Sequence, residues 1–233
     1  MSVLEVQHVK KSFGAKIVLD DVNFSVEAGE IIGIVGLSGG GKSTLAKIVA
    51  RLINCDGGKI ILCGNDITHA TGNDFYRDMQ MIFQNPEDSF NPRRKLGDSI
   101  AEPIKNFVGK QNLRERVENL LIEVDLPKNY VERYPREVSG GECQRAAIAR
   151  AISINPKLLI CDEATSALDV TIQAKIVALI KNLCVERRIS CIFITHDLKI
   201  AKKIANRVLE LENGRLKTFD SDKFWEKLSE TSV

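Results

Sequence analysis

The sequence predicts an α/β fold: a core of sheet and helices joined to an N-terminal antiparallel β layer, with a helical subdomain inserted into it. Buried parallel strands are predicted from three near-continuous apolar runs, at residues 31–35, 158–161 and 191–194. All six prolines lie between residues 86 and 156, where helical spacing replaces the strand pattern. We therefore predict a core of residues 1–84 and 156–233 and a helical subdomain of residues 85–155.

The antiparallel layer is predicted from alternating apolar and polar side chains. Leu4 and Val6 alternate with polar neighbours, which indicates a half-exposed strand, and a second strand is predicted at residues 22–26. Near the other end of the chain, Asn213-Gly214 between two apolar runs is typical of a type I′ hairpin turn. Two further short strands are predicted at residues 59–62 and 79–83.

Helices are predicted where apolar residues recur at helical spacing. The subdomain helix has on one face Val117, Leu120, Leu121 and Val124. A long crossover helix between two core strands has on one face Ile172, Ile176, Leu179, Ile180 and Leu183. A short amphipathic helix is predicted at residues 220–233, with inward-facing Phe224, Trp225 and Leu228.

Composition restricts the class of protein. The 233 residues are 44% hydrophobic and 27% charged, which is ordinary for a soluble globular protein, and the net charge of +2 gives no basis for nucleic-acid binding. No signal peptide is recognised, and no apolar run approaches the roughly 18 residues of a transmembrane helix. The six cysteines form no zinc-ligand pattern, so they are expected to be small buried residues of a cytoplasmic protein.

A phosphate-binding loop follows the first buried strand. Its pattern G-x-x-x-x-G-K-[ST] is matched by Gly36, Leu37, Ser38, Gly39, Gly40, Gly41, Lys42, Ser43 and Thr44. A helix is predicted directly after it from the apolar residues Leu45, Ile48, Val49 and Leu52. A glycine loop at a helix start directs backbone N–H groups and the helix dipole at one point. Lys42 is expected to reach the β- and γ-phosphates of a nucleoside triphosphate, and Ser43 to bind Mg²⁺.

Two carboxylates end the second buried strand. Asp162 and Glu163 are expected to face the same crevice as the phosphate loop, because both follow the carboxyl ends of parallel strands. Asp162 suits Mg²⁺ held through its water shell, and Glu163 suits a general base that orients the attacking water. A solvated acidic strand end is the alternative, which the phosphate loop disfavours.

A second glycine pair begins a helix in the subdomain. Ser139, Gly140, Gly141 and Glu142 match the capping box S-x-x-E, which accounts for the serine and the glutamate. It does not account for two consecutive glycines, which allow close backbone approach at a helix N-terminus. The pattern therefore predicts a second anion site.

Taken together, these motifs resemble those of the nucleotide-binding subunits of ATP-binding cassette (ABC) transporters over nearly the whole chain. Residues 138–142 match the family's LSGGQ signature, and residues 166–169 match its D-loop with Asp169. Gln84 matches the Q-loop glutamine, His196 the switch histidine, and Phe13 the aromatic residue that stacks on adenine. Each of these residues alone also fits a structural role, such as a helix cap or a core aromatic residue.

The resemblance implies an ATPase that uses Mg²⁺, with Gln84 among the metal ligands. Two cassettes would enclose two ATP molecules, the phosphate loop of one facing Ser139, Gly140 and Gly141 of the other. Hydrolysis would release this dimer, and Gln84 with the helical subdomain would transmit the motion to a membrane partner. The implied partners are a second, identical or different cassette, two permease subunits and, indirectly, a solute-binding protein. The subunit would lie on the inner face of the cell membrane.

Two departures from the signature are present. Val138 replaces leucine with little change in volume, and Glu142 replaces glutamine and adds a negative charge. Because backbone N–H groups and Ser139 are expected to bind the phosphate, we predict that Glu142 caps the helix and that the site remains functional.

The segment at residues 85–93 is similar to a run found in importers of oligopeptides, dipeptides and nickel. The peptide cassettes usually carry a C-terminal extension with clustered cysteines, which this sequence does not show, so a nickel or metal-chelate importer is expected. A peptide importer is the alternative. A cassette that acts without a transporter, for example in iron–sulfur cluster assembly, is a third possibility, which the resemblance at residues 85–93 disfavours.

Overall fold

A computed structural model describes residues 2–165 and 168–219. The predicted C-terminal helix at residues 220–233, with Phe224, Trp225 and Leu228, lies outside the described residues, as do the D-loop positions Ser166 and Ala167.

The chain forms ten strands and six helices in the described residues. In chain order the strands are β1 (Ser2–Phe13), β2 (Lys16–Glu27), β3 (Ile31–Val35), β4 (Gly57–Leu62), β5 (Asn65–Asp66), β6 (Met79–Ile82), β7 (Leu158–Asp162), β8 (Ser190–Ile194), β9 (Arg207–Glu212) and β10 (Arg215–Phe219). The helices are α1 (Lys42–Val49), α2 (Leu96–Phe107), α3 (Leu113–Glu123), α4 (Gly140–Ile152), α5 (Val170–Arg187) and α6 (Leu198–Ile204).

The core sheet has the strand order β10-β9-β3-β8-β7-β6, with parallel pairing from β9 to β6 and an antiparallel edge strand β10. Every residue of β3, β7 and β8 is buried, as expected for strands covered on both faces. One face packs in a cluster with helices α2 to α5, and the other packs against α1 and the second sheet. The predicted parallel core is therefore present.

The second sheet is antiparallel, with the order β2-β1-β4-β5. Leu4, Val6 and Val9 of β1 are buried, whereas their neighbours are more exposed. Strands β1 and β2 are twelve residues each, longer than the predicted strand at 22–26. Strand pairing is irregular around His8 and Asp21, which both have positive φ, and this interrupts the alternation of apolar and polar side chains. The full length of the hairpin is therefore not evident from the sequence.

Helices α2, α3 and α4 and several short 3-10 turns occupy residues 86–152. The four residues predicted on the apolar face of α3 and at its end are all buried. Arg150 of α4 connects this helix to the segment after Gln84. Its guanidinium Nη1 donates to the carbonyl oxygen of Ser89 at 2.6 Å, and its guanidinium carbon Cζ lies 4.4 Å from the Phe90 ring centre. Whether residues 85–155 form a separate subdomain stays a prediction.

Two predictions, on the extent of α1 and on the burial of the cysteines, are wrong. Leu52 lies beyond α1 and is 47% exposed, because the helix ends at Val49 and Arg51 adopts a left-handed φ of 58°. Cys63 is exposed because it lies in the left-handed turn between β4 and β5, with a φ of 50°, and Cys55 is only partly buried. The predicted apolar face of α5 is confirmed: Ile176, Ile180 and Leu183 are buried, and the partly buried Ile172 and Leu179 pack against the same core cluster.

The predicted hairpin turn is confirmed: Asn213 and Gly214 have φ angles of 51° and 76°, both in the left-handed region that a type I′ turn requires. The Asp20 N–H donates to the Gly214 carbonyl oxygen at 2.7 Å, which ties this hairpin to β2. Among residues 2–165 and 168–219, no helix has the length and apolar character needed to cross a bilayer.

Gly58 provides a test of how the two strands β1 and β4 fit together. Its φ is +93°, and a Cβ there would lie 2.5 Å from the carbonyl oxygens of Gln7 and His8. Gly58→Ala is therefore expected to lower the free energy of unfolding by about 2 kcal/mol or more, measured by urea denaturation. Gly57→Ala is the matched control, since nothing lies within 4 Å of a Cβ there. Equal destabilisation by the two substitutions would contradict this account.

Candidate active site

The phosphate loop connects β3 at the middle of the core sheet to α1. Gly36 turns the chain with a φ of +148°, and a Cβ there would lie 2.4 Å from the carbonyl oxygen of Leu211 on β9. Gly41 precedes the first helical residue with a φ of 99°. Both positions require glycine, so the loop can lie directly against the end of the sheet and direct its N–H groups outward.

Lys42 lies inside the loop and is 3% exposed. Its ammonium group donates to the carbonyl oxygens of Gly36 and Leu37, both at 2.9 Å. A buried cation is thus held across the loop, at the position where the loop can contact a phosphate chain.

Ser43 and Asp162 meet at the carboxyl end of β7. The Ser43 hydroxyl donates to Asp162 Oδ1 at 2.9 Å, and Asp162 is 5% exposed. Burial raises the pKa of Asp162, and the hydrogen bond from Ser43 opposes that shift. A buried carboxylate beside a hydroxyl is an all-oxygen donor pair, which fits a hard divalent cation such as Mg²⁺.

Glu163 is brought together with Gln84 and His196, which match the Q-loop glutamine and the switch histidine. Its Oε2 accepts a hydrogen bond from Gln84 Nε2 at 3.3 Å, and its Oε1 lies 3.7 Å from His196 Nδ1. The backbone of Glu163 has a left-handed φ of 47°, and its N–H donates to the carbonyl oxygen of Ile194 at 3.1 Å. The three side chains come from segments that follow β6, β7 and β8, which are neighbours in the sheet.

A cavity of about 400 Å³ is lined by the phosphate loop together with Gln84 and Glu163. Phe13 lies at its wall, is 54% exposed and has the Lys11 ammonium 5.2 Å from its ring centre. Lys16, which the sequence analysis did not single out, also lines the cavity, because the turn after Phe13 brings the start of β2 beside the loop. The remaining residues that line it are Val18, Ser38, Gly39, Gly41, Lys42, Ser43, Thr44, Gln84 and Glu163. Its size suits a small-molecule ligand.

The residues at 139–142 begin α4 and are not among those that line this cavity in the described part of the chain. Ser139 is the N-cap, and the reciprocal bonds of a capping box are present: Glu142 N–H donates to Ser139 Oγ at 3.4 Å, and Ser139 N–H donates to Glu142 Oε2 at 2.8 Å. The predicted cap is therefore confirmed. A Cβ at Gly141 would lie 2.9 Å from Ile172, so this glycine lets α4 approach α5.

Asp169 is also separate from the cavity. It is the N-cap of α5, where its Oδ1 accepts from the N–H groups of Thr171 and Ile172 at 3.1 and 3.0 Å. The structural role that the sequence allows for Asp169 is thus present, whereas its predicted part in nucleotide binding stays a prediction.

The comparison with protein families establishes the family of this chain. The ABC transporter family model matches residues 19–166, which include the phosphate loop, Gln84, the segment at 139–142 and Glu163. The chain belongs to the ABC transporter family.

The ABC relatives include peptide transport proteins. The chain is 41% identical over 239 residues to the oligopeptide transport ATP-binding protein OppF of Haemophilus influenzae, covering 94% of this chain and 72% of that protein. It is 43% identical over 211 residues to OppF of Salmonella typhimurium, covering 87% of this chain. The chain spans 63% of that second relative's length.

Among solved structures, the fold is similar to an ATP-binding cassette described as a dimer in a post-hydrolysis state bound to ADP and Pi. The TM-score is 0.84 at 27% identity, covering 94% of this chain and 98% of that one. The predicted α/β fold of an ABC cassette and the predicted class of ATPase are confirmed by the family match and this likeness.

The glutamate in the ABC signature gives a prediction of its own. Glutamine can form the same capping box as glutamate, so Glu142→Gln is expected to change the ATPase rate by less than about tenfold. The measurement is phosphate release at saturating ATP by the purified protein. A tenfold or greater increase would mean that the native signature is impaired by its carboxylate.

Proposed function

We propose that this chain is the ATP-hydrolysing subunit that energises an ABC importer of oligopeptides. The observation that supports hydrolysis best is the meeting of Gln84 and His196 with Glu163, which lines the cavity that also contains Lys42. A general base needs orienting partners within contact distance, and Glu163 has one on each carboxylate oxygen.

In this proposal each residue in or next to the cavity has its own part in phosphoryl transfer. The loop N–H groups and Lys42 bind the β- and γ-phosphates of ATP, and Phe13 stacks on the adenine. Glu163 orients the attacking water and accepts its proton, while Gln84 and His196 hold Glu163 and the γ-phosphate in position. Ser43 and Asp162 would hold Mg²⁺ with Gln84, and the ion, when bound, neutralises charge on the phosphate oxygens.

The site is completed by a second cassette. Ser139, Gly140 and Gly141 are at a helix N-terminus that does not line the cavity of the described chain, and Ser139 is exposed. In the proposed dimer these residues contact the nucleotide that is bound to the phosphate loop of the partner cassette, and Asp169 lies at the same interface. The dimeric state of the related cassette supports this arrangement. The partner cassette is either a second copy of this chain or a different cassette. Two permease subunits hold the pair at the inner face of the membrane.

The relatives favour a peptide as the cargo over nickel. The expectation of nickel depended on the absence of a cysteine-bearing extension, whereas the relatives reported above are oligopeptide transport proteins along most of this chain. The residues at 85–93 fit either cargo, because these ATPase residues do not contact it. A solute-binding protein would select the peptide.

The experiment is affinity purification of the tagged chain from detergent-solubilised membranes of its host, with mass spectrometry of the bound proteins. We expect two polytopic membrane proteins and a second cassette. The solute-binding protein encoded with them is then tested by calorimetry with peptides and with nickel salts. Recovery of soluble partners only would refute the importer and favour a cassette of iron–sulfur cluster assembly, and nickel binding without peptide binding would refute the peptide cargo.

A further inference from the structure

The signature serine is engaged with its own helix through two groups. The Ser139 hydroxyl donates to Glu142 Oε2 at 2.8 Å, and the Ser139 backbone N–H donates to the same oxygen at 2.8 Å. A serine hydroxyl has one proton to donate. In the composite site proposed above, that proton has to turn from the carboxylate to the γ-phosphate of ATP.

The other carboxylate oxygen is held from a different part of the chain. Tyr130 lies in the 3-10 turn Lys128–Glu132, and its hydroxyl donates to Glu142 Oε1 at 2.7 Å. The ring packs against the core cluster, and the Arg133 guanidinium lies 6.0 Å from its centre. The hydrogen bond from Tyr130 is the main reason that the pKa of Glu142 lies below its ordinary value, followed by the bonds from Ser139.

A capping box does not require this second contact. It explains why Oε2 is held at the helix N-terminus, but it provides no partner for Oε1. Here Oε1 has a fixed donor from an anchored side chain. When the Ser139 hydroxyl turns away from Oε2, the Glu142 carboxylate still accepts hydrogen bonds from the Tyr130 hydroxyl and the Ser139 N–H. These two bonds stabilise its charge and hold the carboxylate away from the arriving phosphate.

We propose that Tyr130 is a positioning residue of the signature loop, which holds the Glu142 carboxylate in place while the Ser139 hydroxyl turns to the γ-phosphate of ATP. The proposal rests on the proposed function, since it needs the ATP of a composite site. Without the Tyr130 hydroxyl, releasing Ser139 leaves an anion with a single donor beside the triphosphate. ATP then binds the assembled site less tightly, whereas the chemistry at Glu163 is unchanged.

The test is the dependence of the ATPase rate on ATP concentration, with the second cassette added where the purification recovers one. Tyr130→Phe removes only the hydroxyl and is expected to raise the KM for ATP about threefold to tenfold, with kcat changed by less than about twofold. In Tyr130→Phe combined with Glu142→Gln, the charge is gone, so the KM returns to that of Glu142→Gln alone. Tyr134→Phe, the same change at a tyrosine that is 38% exposed in the next turn, is the matched control.

The outcomes separate this proposal from the function on which it rests. A wild-type protein that hydrolyses ATP while Tyr130→Phe leaves the KM unchanged overturns only the role of Tyr130. The same holds if the full rise in KM persists in the double variant, because the Tyr130 hydroxyl then acts independently of the Glu142 charge. A wild-type protein without ATPase activity, alone and with its recovered partner, overturns the proposed function and this inference together.

Discussion

Glu163→Gln is expected to lower kcat for ATP hydrolysis by about 10²–10⁴-fold and to leave ATP binding intact. Glutamine has nearly the same size as glutamate and keeps one carbonyl oxygen for its neighbours, but it cannot accept the proton of the attacking water. The contacts of Gln84 and His196 with this side chain place the loss in the chemical step. Lys42 and the loop N–H groups, which bind the phosphates in our proposal, are untouched.

Phosphate release measures the loss of turnover, and equilibrium dialysis with labelled ATP measures binding. Glu186→Gln on α5 is the matched control, because it removes the same charge at an exposed position. Turnover by Glu163→Gln at the wild-type rate would exclude Glu163 as the general base. Loss of binding in the same variant would instead assign it a role in holding the nucleotide.

Lys42→Ala is expected to weaken ATP binding about 100-fold. The substitution removes a buried cation from the phosphate site. It also removes the hydrogen bonds that the Lys42 ammonium group donates to the carbonyl oxygens of Gly36 and Leu37, and these bonds stabilise the conformation of the loop. The affinity is measured by equilibrium dialysis, and the thermal unfolding midpoint of each variant shows whether the fold is retained. Lys175→Ala on the exposed face of α5 is the matched control. Wild-type affinity in Lys42→Ala would show that this ammonium group does not contact the phosphates.

Local patterns were sufficient for the parts of the site that lie within one segment. The phosphate loop, the cap formed by Ser139 and Glu142, and the turn at Asn213 are all fixed by neighbours a few residues apart, so the sequence predicts them directly. The contacts of Gln84 and His196 with Glu163 join segments far apart in the chain. The sequence assigns Gln84 and His196 to the site only through the resemblance to ABC cassettes, and it does not predict their contacts with Glu163.

Other features were beyond the sequence for physical reasons. The bond between Tyr130 and Glu142 depends on how a 3-10 turn packs beside α4, and nothing in the spacing of 12 residues indicates it. The exposure of Leu52 follows from a helix end with a non-glycine residue at positive φ, which helical periodicity does not reveal. In our proposal the residues of the site bind ATP and do not contact the transported substrate. They therefore carry no information about that substrate, and the expectation of nickel had no physical basis in the site.

The contacts of Arg150 have a mechanical consequence. Helix α4 has 13 residues and is therefore a stiff rod about 20 Å long. Ser139 lies at one end of this rod, and Arg150, bonded to Ser89 and stacked on Phe90, lies near the other. Because α4 is stiff, a displacement of the segment after Gln84 would be transmitted along the helix to Ser139. A ligand bound at Ser139 would likewise act on the segment after Gln84.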